Sequence, residues 1–527
     1  MKAKSLLYNA RIHTQAGGLM ADSMAVCRNR IVAMGNNLKY DPDFGSYHRV
    51  DLKGRTVTPG FVDAHTHFFF YALSLGHVSL QGLTSIEACR KKIKKHTATL
   101  KRTEWVVGEG YAPDLFAGRR EPDRQALDTV TGDHPAIILS KDQHSAWVNS
   151  RALELAGITA KTLQTSSGVI VRTADGTPTG ILRETAYRPV FDLAPPPPRK
   201  TIDRHYRQAV DHACRKGVTG VHSFDGAEAF AYFSELAAGG KLGLRINYYP
   251  PATRLPQLHK TGTRYATGDD FLRIAGVKIF ADGSLGSQTA FCFNKYLGSP
   301  DNFGIEVTPV SELKRLIKSA SRLGLPCAIH AIGDRAVANV LNALEAGPRL
   351  RLPARHRIEH LQLMRRKDIP RLKKLGVVPS MQPSHCPADI MMARKYWGAR
   401  ARNAYIFRTL IDHGIPVAFG SDVPIEPLDP LAGIAAAVRR AKPGSRDIFY
   451  PQERLNAAQA LHAFTVGSAI AAGQEHCRGY LLPGYVADFV VLSDDITRIP
   501  ASRLCDVRVL ATVLDGKVKY CDGRLSL

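Results

Sequence analysis

Only nine cysteines occur in 527 residues, their number is odd, and no two form a CxxC pair. A disulfide framework or a zinc ribbon needs paired cysteines at regular spacing, so neither organises this chain, and a reducing compartment fits. No apolar stretch approaches the roughly 20 residues of a membrane-spanning helix. The basic N-terminal MKAKSLLYNARIHTQ has too short an apolar run for a signal-peptide core, so a cytoplasmic location is expected. Acidic residues are outnumbered as well: 47 Asp and Glu stand against 71 Lys and Arg, for a formal net charge of +24. Such an excess can serve nucleic acid, an anionic membrane surface or an acidic substrate. No RNP, zinc-finger or helix-turn-helix pattern accompanies it, and the densest cluster, RKKIKKHTATLKR from Arg90, has the spacing of a helix's polar face. The charge therefore reads as a solvated basic surface, with neither a specific nucleic-acid partner nor a membrane.

What is abundant is a rhythm of short apolar runs and amphipathic helices. Strand-like segments recur at FVDAHTH, VTGVHSF, LRINYYP, LRIAGVKIFAD, LPCAIHAIGD, RHRIEH, GVVPSMQP and GIPVAFGSD. Between several of them lie helical patterns: DRHYRQAVDHACRKG, VSELKRLIKSASRLG, DRAVANVLNALEAG and NAAQALHAFTVGSA. Strands alternating with helices predict a parallel sheet, and eight such units predict an α/β fold of the (β/α)₈ TIM-barrel type over residues 59–473. Two parts break the rhythm. Residues 1–58 and 474–527 alternate like strands without helical periodicity, which predicts one small β-sandwich built from both chain ends. A long interval after the first barrel strand, about 103–198, holds WVVGEGY, PAIILSKD and GVIVRT and ends in APPPPRK. A connection that long is seldom structureless, so an α+β insertion with a stiff proline-rich return is expected.

The reactive groups fall at strand ends, where barrel enzymes build their sites. In TPGFVDAHTH the alternation of an extended strand puts Asp63, His65 and His67 on one face. Further round, the strands present Lys278 with Asp282 just beyond, then His330, His360 and Asp422. Taken singly, His330 or His360 reads as a core histidine, Asp422 as a helix cap and Lys278 as a buried ion-pair partner. Taken together at one end of the strands, they read as ligands of a divalent metal, with Zn²⁺ expected at one or two ions per chain. A cationic lysine is a poor ligand. Burial beside positive charge lowers its pKa, and the neutral amine can add CO₂ to become an anionic carbamate with two oxygens. That arrangement gives one metal on His65, His67 and Asp422, another on His330 and His360, and carbamylated Lys278 as the bridge.

Over nearly its whole length the chain resembles the amidohydrolase superfamily, in particular the amidohydrolase family 3 branch that includes N-substituted formamide deformylases. The resemblance rests on TPGFVDAHTH, DQHSAWVNSRALELAGI, VKIFADGSLGSQTA, IHAIGDRAV, RIEHLQL, MQPSH, FGSDVPIEPLDP and LLPGYVADFVVL, in that order. It implies a metal-dependent barrel beside a β-sandwich, with metal roles for His65, His67, Lys278, His330, His360 and Asp422. It also implies hydrolysis of a C–N bond, an amide or N-formyl group, by metal-bound hydroxide, with Asp422 as general base and then general acid. Tyr111, His144, Trp147, Gln382 and His385 are pocket candidates for a small-molecule substrate. The competing readings are a mononuclear deaminase or cyclic-amide hydrolase, which has no need of Lys278, and a non-catalytic barrel scaffold or basic-surface binder. Such a scaffold would have shed ligands, and none of the six is missing. A homo-oligomer stays open.

Overall fold

Buried on both faces, Phe61–Thr66 is the strand that carries the first histidine, and it begins a set of parallel pairings. The computed structural model describes residues 1–527 apart from 102–103, 117–120, 142, 165–167, 352 and 526. Arg102 of the basic cluster and Asp142 of DQHSAW thus lie outside the described residues. The chain divides into two compact units, Met1–Phe69 with Ala209–Leu527, and Phe70–Gln208.

In the first unit all eight strand-like segments of the repeating region form strands. Phe61–Thr66, Val218–Ser223, Arg245–Tyr248 and Leu272–Ile274 make one parallel sheet. Val277–Phe280, Cys327–Ala331, Arg357–His360, Val378–Met381 and Ala418–Phe419 make a second. Parallel bridges join their edges, Thr66 to Val423 on one side and Pro251 to Lys278 on the other, giving a TIM-barrel-like arrangement. The single strand expected in LRIAGVKIFAD is two, one at the edge of each sheet. Gly276 sits in the break, where a Cβ would come within 2.6 Å of the Pro326 carbonyl and 2.7 Å of the Tyr249 ring, so only glycine lets these segments approach.

Amphipathic helices follow the strands as the periodicity predicts. Val310–Arg322 buries Leu313, Ile317 and Ala320 along one stripe, and Asp334–Glu345 buries most of its length. The helix expected in NAAQALHAFTVGSA starts with an Asn456/Gln459 capping box. It is interrupted by a π-helical turn at Ala463–Gly467, where Thr465 and Ser468 hydroxyls donate to the Leu461 and Ala463 carbonyls at 2.8 and 3.0 Å.

Strands from both chain ends join in one hydrogen-bonded sheet. The eight strands pair continuously because His48–Pro59 lies parallel to Lys4–His13 on one edge and antiparallel to Phe489–Leu492 on the other. This stitches Leu7, Ile12, Val57, Phe489, Val491 and Val513 into one apolar cluster. The last hairpin turns at Asp515-Gly516, both at positive φ.

The second unit is an α+β body with a six-stranded sheet in the order Gly168–Arg172, Pro178–Glu184, Ser145–Val148, Ala136–Ser140, Val106–Tyr111 and Val78–Ser79. Its helix Ile86–Thr97 carries the basic cluster, burying Cys89 and Ile93 and leaving Lys91, Lys92, Lys94 and Lys95 exposed. That is the solvated face expected. Among the described residues no helix is long and apolar enough to cross a membrane.

Candidate metal centre

One ligand atom each from His65, His360 and Asp422 lies within 4.8 Å of the others, all three side chains buried. His65 Nε2 is 3.6 Å and His67 Nε2 3.5 Å from Asp422 Oδ1, while His360 Nδ1 is 3.9 Å from Oδ2. The strand ends are locked to one another through backbone. Asp422 N–H donates to the His65 carbonyl at 2.8 Å and His67 N–H to Val423 at 3.0 Å. Asp63 completes the lock, its Oδ1 accepting from the N–H groups of His65 at 3.2 Å and Ser421 at 2.9 Å.

The imidazoles are held neutral, as metal ligands must be. Burial pushes His65 well below the usual histidine range, helped by Lys278 and His67. Burial and then Lys278 push His67 down to about 3. Burial, then His330 and His65, does the same for His360. Hydrogen bonds also fix the tautomers. His65 Nδ1 donates to Glu359 Oε2 at 2.7 Å and His360 Nδ1 to Gln382 Oε1 at 2.8 Å, because those oxygens can only accept. Each ring then keeps its Nε2 lone pair, and His65 Nε2 is buried without a hydrogen-bond partner. A buried polar atom in that condition is costly, and a cation is the partner its lone pair suits. Neutral imidazoles with a carboxylate are a donor set for a borderline divalent ion, so the residues fit the metal.

Lys278 and His330 stand on adjacent parallel strands. Lys278 is 3% exposed, and its Nζ lies 4.6 Å from the Phe224 ring centre and 4.8 Å from that of Phe280. Among the described residues no carboxylate is within ion-pair distance of it, so a buried ion pair does not account for this lysine. Burial lowers its pKa, against the pull of Glu359 and Asp422, and burial raises that of Asp422. The His330 ring centre is 4.5 Å from that of His360, and its Nε2 is 3.1 Å from the Gly283 carbonyl. Asp282 does a structural task. It accepts from the N–H groups of Phe291, Ile332 and Gly333 at 2.8–3.0 Å, tying the loop after Lys278 to the loop after His330.

Sequence reading passed over two residues in RHRIEH. Arg357 and Glu359, both wholly buried, form the hub of the network under the histidines. Arg357 Nη2 donates to Glu359 Oε2 at 3.0 Å, to the Ala64 carbonyl at 2.6 Å and to Ser380 Oγ at 2.8 Å. Its Nη1 reaches His222 Nδ1 at 2.6 Å and the Tyr249 hydroxyl at 3.0 Å. The available signal was two opposite charges at i and i+2 inside an apolar strand, which cannot stay unpaired when buried.

Of the pocket candidates, Gln382 and His385 join the histidines. His385 Nε2 is 3.7 Å from Asp422 Oδ2, and its ring runs parallel to that of His360 at 6.2 Å. Tyr111, His144 and Trp147 belong to the second unit. Tyr111 and Trp147 are fully buried in its apolar core with ring centres 6.0 Å apart, and Trp147 Nε1 donates to the Asp123 carbonyl. His144 Nδ1 lies 3.0 Å from Glu184 Oε2.

Comparison with known proteins finds similarity along most of the chain. The profile of the "Amidohydrolase family" matches residues 49–520. YtcJ of Bacillus subtilis is 33% identical over 488 residues, 89% of this chain and 90% of that protein. An N-substituted formamide deformylase of Arthrobacter pascens is 26% identical over 537 residues, 98% of each chain. The crystal structure of an uncharacterized metal-dependent hydrolase from Pyrococcus furiosus superposes with a TM-score of 0.76 at 30% identity, over 94% of this chain and 100% of that one.

Proposed function

The chain belongs to the amidohydrolase family, hydrolases of carbon–nitrogen bonds, and from that premise we propose that it cleaves a non-peptide amide, an N-formyl or N-acyl amine, using a divalent metal. The observation that carries the reading is the buried convergence of His65, His360 and Asp422 with a lone-pair nitrogen of His65 left unsatisfied. In this reading His65, His67 and Asp422 would hold one ion and His330 and His360 a second, with Lys278, as its carbamate, supplying further oxygen donors. Zinc is the ion that such a donor set suits. When bound, the metal supplies Lewis-acid polarisation of the scissile group and a coordinated water acidic enough to attack near neutral pH.

The chain's own groups do the rest. Lys278, its amine made less basic by burial, gives up the ammonium proton, and the neutral amine then adds CO₂ and releases a second proton, so a cation becomes the anion that the site needs. Asp422 receives the proton of the attacking water on a carboxylate oxygen and hands it to the departing nitrogen. Its raised pKa brings it toward the operating range of such a shuttle. Glu359 holds the His65 ring through Nδ1, and Gln382 holds the His360 ring in the same way. The formamide preference is supported by the Arthrobacter relative, which aligns over 98% of both chains. The same reading gives a cytoplasmic enzyme with a closed eight-stranded barrel over 59–473 and a β domain of 1–58 with 474–527.

The test is metal analysis of purified protein followed by assays on N-substituted formamides, N-acyl amines, cyclic imides and ring amines. Release of formate and free amine, lost on chelation and restored by zinc, is the expected result. Ammonia released from a ring amine, with every amide left intact, would replace this proposal by a deaminase.

A further inference from the structure

A concavity of about 420 Å³ lies in the first unit, lined by Arg365, Arg366, Lys367, Arg402, Asn403 and Gln452. Four of these six side chains are cationic and none is acidic. The volume falls within the range of small-molecule sites, roughly 300–1,000 Å³, but ordinary ligand pockets are mostly apolar. A hollow walled by positive charge instead concentrates anions.

Two of the arginines, Arg365 and Arg366, are held in place. Arg365 Nε donates to Asp368 Oδ2 at 2.7 Å, and its guanidinium lies 4.0 Å from the Phe293 ring centre. Arg366 donates to Glu453 Oε1 at 3.0 Å, to Thr409 Oγ1 at 2.9 Å and to Asn403 Oδ1 at 3.4 Å. The two carboxylates are themselves buried at 2% exposure and already engaged elsewhere, Asp368 with Arg371 and Glu453 with the Thr409 N–H. They orient the two guanidinium groups and offset part of their charge, so the net positive charge of the hollow rests on Lys367 and Arg402. Lys367 and Arg402 are exposed and have no ion-pair partner among the described residues. With Arg365 and Arg366 paired to those carboxylates, the unpaired Lys367 and Arg402 leave the hollow net positive, a charge that a doubly charged phosphate group offsets, and the two pre-oriented arginine forks match phosphate oxygens. A monocarboxylate would leave about half of that charge uncompensated.

We propose that this pocket is a binding site for a small molecule carrying a phosphate group. It uses none of the residues of the metal centre.

The experiment is calorimetric titration of the metal-loaded full chain with phenyl phosphate and with inorganic phosphate at low salt. It is repeated with the double variant Lys367→Glu/Arg402→Glu, whose two side chains are exposed and outside the core. One saturable site per chain is expected, weakening steeply with added salt and by about tenfold or more in the variant. Metal content and amide hydrolysis should stay unchanged in the variant. Absence of saturable binding, or equal binding by the variant, overturns the proposal. So does a preference for citrate or duplex DNA over the phosphate ester, which would assign the charge to another class of anion.

Discussion

Glu359 Oε2 accepts a hydrogen bond from His65 Nδ1 at 2.7 Å, and Arg357 grips the same carboxylate, its Nε 2.9 Å from Oε1. The histidine is thereby fixed in the tautomer that offers Nε2 to the Asp422 side of the site. Glu359→Gln keeps the size of the side chain and removes its charge. Metal affinity should fall by roughly 10–100-fold, the usual effect of losing a carboxylate behind a metal-binding histidine. Stability should fall too, by about 3–5 kcal/mol, because Arg357 is left charged and buried. Metal retention measured at a temperature where circular dichroism shows the variant folded separates the two effects. Unchanged retention there would mean that Glu359 only neutralises Arg357.

These residues also mark the limits of what alternation can disclose. His65 and His67 were legible because HxH in a strand is a period-2 pattern, and the run of strand-ending histidines followed from the βα rhythm. Strict alternation fails at His360. Its φ of 70°, followed by 44° at Leu361, is a left-handed excursion rare for non-glycine residues. Glu359 faces His65, yet the next side chain, His360, also turns to the site. Asp422 repeats the device at φ 63°. Backbone strain of this kind gathers at functional sites and leaves no trace in composition or spacing. The pairing order within the terminal sheet was illegible for a related reason, since strand counts do not say that His48–Pro59 is shared by both chain ends.

Asp422→Asn tests the proton shuttle without disturbing its scaffold. Asparagine tolerates the left-handed backbone at this position about as well as aspartate does. Turnover with saturating metal should fall by roughly 10²-fold or more, the scale for losing a positioned acid–base group. A rate within a few-fold of wild type, with the fold intact, would place the shuttle on another residue.

Gly420 is needed for lack of a side chain. A Cβ there would come within 2.4 Å of His65 N and 2.7 Å of Asp63 Oδ1, inside the contact that binds the first and last strands. Gly420→Ala should destabilise the protein by about 1–3 kcal/mol, as overpacking does, and weaken metal retention along with it. Denaturant titration gives the first number and metal analysis the second. An alanine variant as stable as wild type would show that the two strands can part at no cost.

Acid should loosen the terminal sheet through Asp495. Burial pushes this carboxyl up, but His13 Nε2 at 3.0 Å and the Thr497 hydroxyl and N–H at 2.7 and 3.0 Å outweigh it, and its pKa ends below the usual carboxylate range. A folded pKa below the unfolded value means stability that is present above about pH 4 and lost as pH falls further. Asp495→Asn should therefore cost about 1–3 kcal/mol at pH 7 and progressively less below pH ~4. Urea unfolding of both proteins across that range checks the sign. A gap that widened on acidification would mean that the carboxylate destabilises the fold.

Lys278 gives the sharpest division between a bridged pair of metals and a single one. Its amine is buried between the rings of Phe224 and Phe280 with no carboxylate in ion-pair reach among the described residues, so a permanent ammonium there is poorly compensated. Carbamylation would remove that charge and supply the two oxygen donors that the proposed two-metal site calls for. Lys278→Ala should lose metal occupancy and nearly all activity. Acetate or propionate at millimolar levels should partly restore both, since a free carboxylate can occupy the vacated position. Wild-type protein equilibrated with ¹³C-labelled bicarbonate should show a carbamate carbon signal that the alanine variant lacks. Both measurements belong on one sample with its metal content known, because CO₂ lost during preparation would take metal with it. An active, metal-loaded enzyme with no carbamate signal would leave Lys278 a bare amine and point to a mononuclear site held by His65, His67 and Asp422.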